Sequence, residues 1–177
     1  AIAYFENLPD SMRGQRDSYA ASIVSGLADR GAAEATAFIL GLAERGDGGG
    51  EDPIDTVARK SLRSSGLQQS SRWSESLPDG SLKAPAMGRV ADAYARESPD
   101  SAARWIEKFA DQDYAVRAVD RIAREWVGQD PTAAVGWLEN LPEGQGQTVG
   151  LSSAFGDWED RDPLAATEHL ASMPVSS

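Results

Sequence analysis

Four glutamates recur at comparable positions along the chain and are the residues best spaced to do chemistry together. They are Glu6, Glu75, Glu107 and Glu139. Each follows a ring-bearing residue by two positions, which is about 200° around an α-helix, so each carboxylate points away from that ring. Stacked helices would align the four as a glutamate ladder, which suits a basic or amide-rich peptide. A solvated helix face explains the same pattern without a ligand.

Two arginines accompany this ladder. Arg72 lies three residues before Glu75, and Arg104 lies three residues before Glu107. Residues at this spacing are neighbours on a helix surface, so opposite charges there attract each other. We therefore expect Arg72 and Arg104 to neutralise part of the ladder and to belong to the same binding surface.

A catalytic or metal-binding site is hard to assemble from the other side chains. The chain has one histidine, His169, and no cysteine. This excludes disulfides, Cys-His sites and multi-histidine metal sites within the chain. His169 also occupies a position that tryptophan holds elsewhere, so a packed helix residue explains it better than a catalytic base does. We predict a protein that is not an enzyme and that carries neither a metal nor a cofactor.

Two other patterns resemble ligand sites but lack the required spacing. Acidic residues crowd 157–162, and oxygen-rich clusters can hold Ca²⁺, but the EF-hand spacing and its central glycine are missing. The glycine-rich segments 46–50 and 144–150 lack the Gly-Lys-Ser/Thr ending of a phosphate-binding loop. Solvated acids and turns explain these segments. A hydrolase using the carboxylates of the C-terminal region is the least favoured alternative.

Charge and hydropathy restrict the kinds of partner that the chain is expected to bind. The net charge is −11, of which −7 falls in residues 130–177. An acidic chain repels nucleic acid and favours a basic partner or simple solubility. No apolar run approaches the roughly 20 residues that cross a bilayer, so membrane insertion is not expected. A chain without cysteine and without a visible signal peptide is compatible with the cytoplasm and with the periplasm, so the compartment stays open.

The elements that would position these residues form an internal repeat of about 32 residues. Ser98-Pro, Asp130-Pro and Asp162-Pro are typical helix starts. A ring-bearing anchor follows each of these prolines by six residues, and the same frame extends to the N-terminus. The anchors are Tyr4, Phe38, Trp73, Trp105, Trp137 and His169. A second aromatic series marks the other half of the unit and comprises Tyr94, Trp126 and Trp158.

Each half of the repeat predicts one α-helix. Ala115, Val119, Ile122 and Trp126 share a helix face, and Leu-Pro steps such as Leu77-Pro78 end the first helix of a unit. No segment alternates as a half-buried strand would. The repeated tryptophans resemble sugar or peptide platforms, but packing between helices, at about 200 Å² buried each, explains them better.

Two helices in about 32 residues is the size of an α-solenoid repeat. In unit length, and in a proline six residues before a tryptophan, the chain resembles the tetratricopeptide-like and HEAT-like class of helical repeats. The Gly-x-x-Tyr continuation of the tetratricopeptide first helix is missing, so the resemblance extends to the class and not to one family. It implies an all-α superhelix of about five to six repeats in a single domain, 1–177. The expected units are approximately 1–30, 31–64, 65–97, 98–129, 130–161 and a partial 162–177.

The repeat frame also leads to expectations about the length of the whole array and about the function of the protein. Residue 1 falls inside a first helix, and the unit beginning at Asp162 has only its first helix, so we expect a fragment of a longer array. Its open ends are compatible with end-to-end self-association. The glycine-rich loop at 43–52 is interpreted as a tolerated insertion, with a functional lid as the alternative. We predict a non-enzymatic protein- or peptide-binding scaffold, and a structural or regulatory spacer of a larger, exported protein is the alternative.

Overall fold

A computed structural model describes residues 2–8, 10–46 and 51–172 of the chain. All regular elements in these ranges are helices, which confirms the predicted all-α class for the described part of the chain. The α-helices are α1 (Ile2–Glu6), α2 (Arg16–Ala28), α3 (Ala32–Glu44), α4 (Glu51–Ser76), α5 (Lys83–Glu97), α6 (Pro99–Ile106), α7 (Val116–Val127), α8 (Pro131–Glu139), α9 (Gln145–Arg161) and α10 (Pro163–Ser172). Short 3-10 helices occupy Asp10–Gln15, Glu107–Phe109 and Asp113–Ala115.

The predicted helix starts at the Asp-Pro and Ser-Pro steps are confirmed. α8 begins at Pro131, and the Asp130 carboxylate accepts a hydrogen bond from the Ala133 N–H at 3.0 Å. α10 begins in the same way, with the Asp162 carboxylate accepting from the Ala165 N–H at 3.1 Å. Each carboxylate satisfies one of the backbone donors that a helix leaves free in its first turn, and proline needs no donor there.

Gly66 interrupts α4 with φ 76° and ψ 176°, so the segment is two helices end to end. Gly66 lies seven residues before the anchor Trp73, as Asp130 lies seven before Trp137. The break therefore falls at the start of a repeat unit. We call the residue seven before each anchor the boundary residue, and these residues are Gly31, Gly66, Ser98, Asp130 and Asp162.

The conformation of Gly66 predicts a specific sensitivity to substitution. This backbone region is accessible to glycine alone, so Gly66→Ala should lower the free energy of unfolding by about 1–3 kcal/mol. The matched control is Gly26→Ala, inside α2, where an added Cβ has no atom within 4 Å and alanine favours the helix. Urea denaturation of both variants checks the prediction, and equal stability of the two would contradict it.

The chain folds as two compact units, Ala1–Val90 and Ala91–Ser177. In the first, α2 packs against both α3 and α4, and the rings of Phe5 and Phe38 meet edge to face with centroids 5.7 Å apart. Aliphatic side chains such as Ile39 and Leu42 fill the space between these helices and are fully buried. The apolar faces that the helical periodicity indicates therefore form the core of this unit.

In the second compact unit, α7 packs against α6, α8 and α9. α9 approaches closely because it carries glycines at the crossing. A Cβ at Gly150 would lie 2.5 Å from Leu138 Cδ2 and 3.2 Å from Val119 Cγ1. Leu138 and Val119 are both fully buried, so this crossing is packed without space for an additional methyl group.

Candidate functional site

The aromatic residues of the two repeat series meet in pairs. In each pair, the second-series aromatic of one repeat unit contacts the anchor eleven residues later in the chain. The pairs are Tyr94–Trp105, Trp126–Trp137 and Trp158–His169, with ring centroids 5.9, 5.8 and 5.2 Å apart. The rings are tilted toward one another within the range where aromatic pairs attract. These side chains join consecutive repeat units and do not form an open platform for a ligand.

The anchors differ in how deeply they are buried. Phe38, Trp105 and Trp137 are 8%, 7% and 9% exposed. Trp73 is half-buried, and its indole Nε1 donates a hydrogen bond to Thr36 Oγ1 at 3.0 Å. The side chain of Tyr4 lies outside the described part of the structure. The burial of these rings supports packing as their role.

His169 is half-buried in an aromatic environment. Its ring lies 5.2 Å from that of Trp158 and 6.1 Å from that of Phe155. Its Nε2 is buried and has no hydrogen-bond partner within the described chain. A general base needs a proton donor within hydrogen-bonding distance and a group that orients its ring. The described neighbours of the His169 ring are the aromatic rings of Phe155 and Trp158, which pack against it.

The four ladder glutamates have different surroundings. Glu6 is exposed, with its carboxylate 3.8 Å from Arg45 at the end of α3. Glu75 is half-buried. Glu107 and Glu139 are exposed, and in the described part of the chain no cation lies within ion-pairing distance of either carboxylate. These last two are therefore the ladder members most available to a partner.

The arginines expected beside the ladder have other neighbours. Arg104 lies 2.5 Å from the Asp100 carboxylate and donates to Ser101 Oγ at 3.3 Å, so its ion pair is with the preceding turn and not with Glu107. Both charges of this pair are mostly exposed, so it contributes at most about 1 kcal/mol. Arg72 is exposed and lines a polar depression beside Trp73.

A further cation links helices within the second compact unit. Arg124 on α7 donates to Asp120 at 3.1 Å and to Ser153 Oγ on α9 at 3.2 Å. The hydrogen bond to Asp120, together with its negative charge, raises the pKa of Arg124. This contact joins α7 to α9.

Two depressions in the first compact unit differ in polarity. The polar one, of about 830 Å³, lies between the start of α3 and the middle of α4, and Arg72, Gln68 and Ser65 line it. The other, of about 720 Å³, lies between α1 and α2 and is almost entirely apolar. It is lined at four-residue spacing by Tyr19, Ile23 and Leu27. This helical spacing is visible in the sequence, but there it indicates only buried core residues.

The acidic C-terminal segment is not arranged as a metal centre. Asp162 caps α10, while Glu159 and Asp160 are exposed near the end of α9. Among the described residues, no group of three or more histidine and acidic side chains is placed to hold a metal ion. Nor does any described helix combine the length and apolar character needed to cross a membrane.

The glycine-rich loop at 43–52 is described only in part. α3 ends at Glu44, Gly46 has φ 71°, and α4 begins at Glu51, while residues 47–50 lie outside the described ranges. The choice between insertion and lid therefore rests on the sequence.

Compared with protein-family models, curated proteins and solved structures, the chain has no significant match.

Proposed function

We propose that the protein is a non-enzymatic scaffold of α-solenoid type that binds a basic peptide or protein segment through its glutamate ladder. The observation that carries this proposal is the exposure of Glu107 and Glu139, which lie 32 residues apart at equivalent positions of consecutive repeat units. The rings two residues before them, Trp105 and Trp137, are buried, and the two carboxylates face solvent where α6 and α8 end.

The charge distribution supports the same proposal. Residues 91–177 contain sixteen Asp and Glu and seven Lys and Arg, a net charge of −9, against −2 for residues 1–90. A surface of one sign attracts oppositely charged partners over about one Debye length, roughly 8 Å at physiological salt. Because Glu107 and Glu139 are both exposed, we expect binding that weakens as salt is added.

The surroundings of His169 argue in the same direction. A hydrolytic site needs a nucleophile or activated water next to a base. The ring neighbours of the single histidine are Phe155 and Trp158. These surroundings favour a protein that binds its partner without catalysing a reaction.

Removing the two exposed ladder charges tests the proposal. We expect Glu107→Gln/Glu139→Gln to bind a fluorescent Lys- and Gln-rich peptide roughly two- to thirty-fold more weakly, because each exposed ion pair contributes about 0.2–1 kcal/mol. Fluorescence anisotropy at low salt gives the dissociation constants. The matched control, Glu143→Gln/Glu159→Gln, removes the same charge from exposed positions off the ladder. An equal loss in both variants would mean that net charge alone attracts the peptide, and it would refute the ladder.

A further inference from the structure

The polar depression between the start of α3 and the middle of α4 is rich in hydrogen-bond donors. Arg30 lines it just before α3 begins, and Arg72 and Gln68 line it from α4. Ser61 and Ser65 add hydroxyl groups. None of the described residues that line the depression is acidic. Its volume, about 830 Å³, is that of a small-molecule site, and its lining is suited to a ligand with negative charge.

The stretch of α4 beside this depression is a basic part of an acidic chain. The net charge of the chain is −11, but residues 56–74 contain no acidic residue and four basic ones, which are Arg59, Lys60, Arg63 and Arg72. Arg72 has no ion-pair partner in the described part of the chain. Arg30 lies 3.2 Å from the Glu34 carboxylate, but both side chains are more than 60% exposed, so a ligand can compete with this weak pair. Because salt screens charges over roughly 8 Å, these local cations act on a ligand more than the net charge does.

Hydrogen bonds within the chain hold the walls of the depression in place. The Trp73 indole Nε1 donates to Thr36 Oγ1 at 3.0 Å, and Thr36 Oγ1 donates to the Ala32 carbonyl at 2.7 Å. These bonds connect α4 to the first turn of α3. On the other half of α4, Lys60 Nζ donates to the Ser25 carbonyl of α2 at 2.8 Å. A ligand therefore does not have to order these helices, which reduces the entropy cost of binding.

A buried hydroxyl in this depression has hydrogen-bonding capacity that the chain does not use. Ser61 is 4% exposed and lines the depression, and its Oγ lies 2.8 Å from Oγ of the fully buried Ser70. The two hydroxyls carry two hydrogens, and the contact between them uses one. Neither hydroxyl makes another hydrogen bond in the described part of the chain. When Ser70 donates to Ser61, the Ser61 hydroxyl can donate to a ligand oxygen, which removes the cost of leaving a buried donor unpaired.

We infer that this depression binds a phosphate monoester, with Arg72 and Arg30 supplying positive charge and Ser61 a hydrogen bond. A phosphate monoester carries three acceptor oxygens and nearly two negative charges at neutral pH, whereas a carboxylate carries two oxygens and one charge. Two arginines together with hydroxyl and amide donors match the phosphate better, and a guanidinium binds two of its oxygens at once. The site uses no ladder glutamate and is independent of the proposed function.

A phosphorylated peptide tests the inference. The probe is a fluorescent pentapeptide, Gly-Ala-Ser-Ala-Gly, with its serine phosphorylated, and fluorescence anisotropy with the full chain gives the dissociation constant. We expect Arg72→Gln to weaken binding at least about tenfold, because a charge-assisted contact to two phosphate oxygens is lost. The matched control, Arg63→Gln, removes the same charge from an exposed position of α4 that does not line the depression. It should change the dissociation constant by less than about threefold.

A second variant and two further peptides make each outcome decisive. Ser65→Asp places a carboxylate at an exposed position of the depression and should abolish binding, while its circular dichroism stays that of the unaltered chain. Equal losses in Arg72→Gln and Arg63→Gln overturn the inference, and so does an absence of binding to the folded chain. It is also overturned if the unphosphorylated peptide, or a peptide with glutamate in place of phosphoserine, binds as tightly as the probe.

Competition with free O-phospho-L-serine distinguishes the two sources of a phosphate monoester. If it displaces the probe at a concentration close to the dissociation constant of the peptide, the site recognises a free phosphorylated small molecule. If the peptide binds much more tightly, the ligand is a phosphorylated segment of a protein. Either result supports the inference. Glu107→Gln/Glu139→Gln should bind the probe at least as well as the unaltered chain does, which separates this site from the ladder.

Discussion

Trp137→Ala is expected to lower the free energy of unfolding by about 3–5 kcal/mol, the range found when a large buried aromatic is truncated. Trp137 is 9% exposed and lies next to the fully buried Leu138 on α8. Its ring centroid is 5.8 Å from that of Trp126 on α7. Its indole Nε1 has no hydrogen-bond partner in the described part of the chain, so the loss comes from packing and not from a broken hydrogen bond.

Urea denaturation followed by circular dichroism measures this change. Trp137→Phe is the matched control, because it keeps a ring at the α7–α8 contact and should lose clearly less. A double-mutant cycle with Trp126→Ala should give a coupling of about 0.5–1.5 kcal/mol for the ring pair. Additive effects of the two truncations would show that the rings touch without a specific interaction.

Gly150→Val is expected to lower the free energy of unfolding by about 1–3 kcal/mol through overpacking. A Cβ at Gly150 would lie 2.5 Å from Leu138 Cδ2 and 3.2 Å from Val119 Cγ1. The branched side chain of valine adds two more methyl groups toward these fully buried neighbours. The helices would therefore have to separate where α9 crosses α7.

The control for this variant lies on the same helix. Gly156→Val makes the same substitution in α9 at an exposed position, where a Cβ has no atom within 4 Å. Both variants change intrinsic helix propensity equally, so the difference between their urea midpoints reports overpacking alone. Equal midpoints would mean that the crossing can widen without loss.

The fold class could be predicted because its signals are local. Each signal depends on residues close together in the sequence. Examples are the helix caps at Asp130 and Asp162 and the helical spacing of Val119 and Ile122. The break at Gly66 has no cap or proline beside it, and the sequence indicates it only through the repeat frame, which begins a unit at about residue 65. A glycine without an adjacent proline is a weak stop signal.

The candidate sites were less predictable, because the partner of a charged side chain depends on which of several neighbouring groups it contacts in the folded chain. Arg104 was expected to contact Glu107, but Asp100 offers a carboxylate four residues earlier and takes the ion pair. The apolar depression between α1 and α2 was missed for a related reason. In the sequence, Ile23 has the character of core residues such as Ile122, and only its exposure in the folded chain distinguishes it.

The aromatic pairs also have a consequence for how quickly the chain folds. Trp126 and Trp137 are eleven residues apart, as are Tyr94 and Trp105. A loop of about ten residues closes in roughly 10–100 ns, and its small closure entropy hardly slows the encounter. These rings can therefore meet before any distant segment arrives. Contacts between residues this close in sequence cost little entropy to form, so we expect the ring pairs to form early in folding.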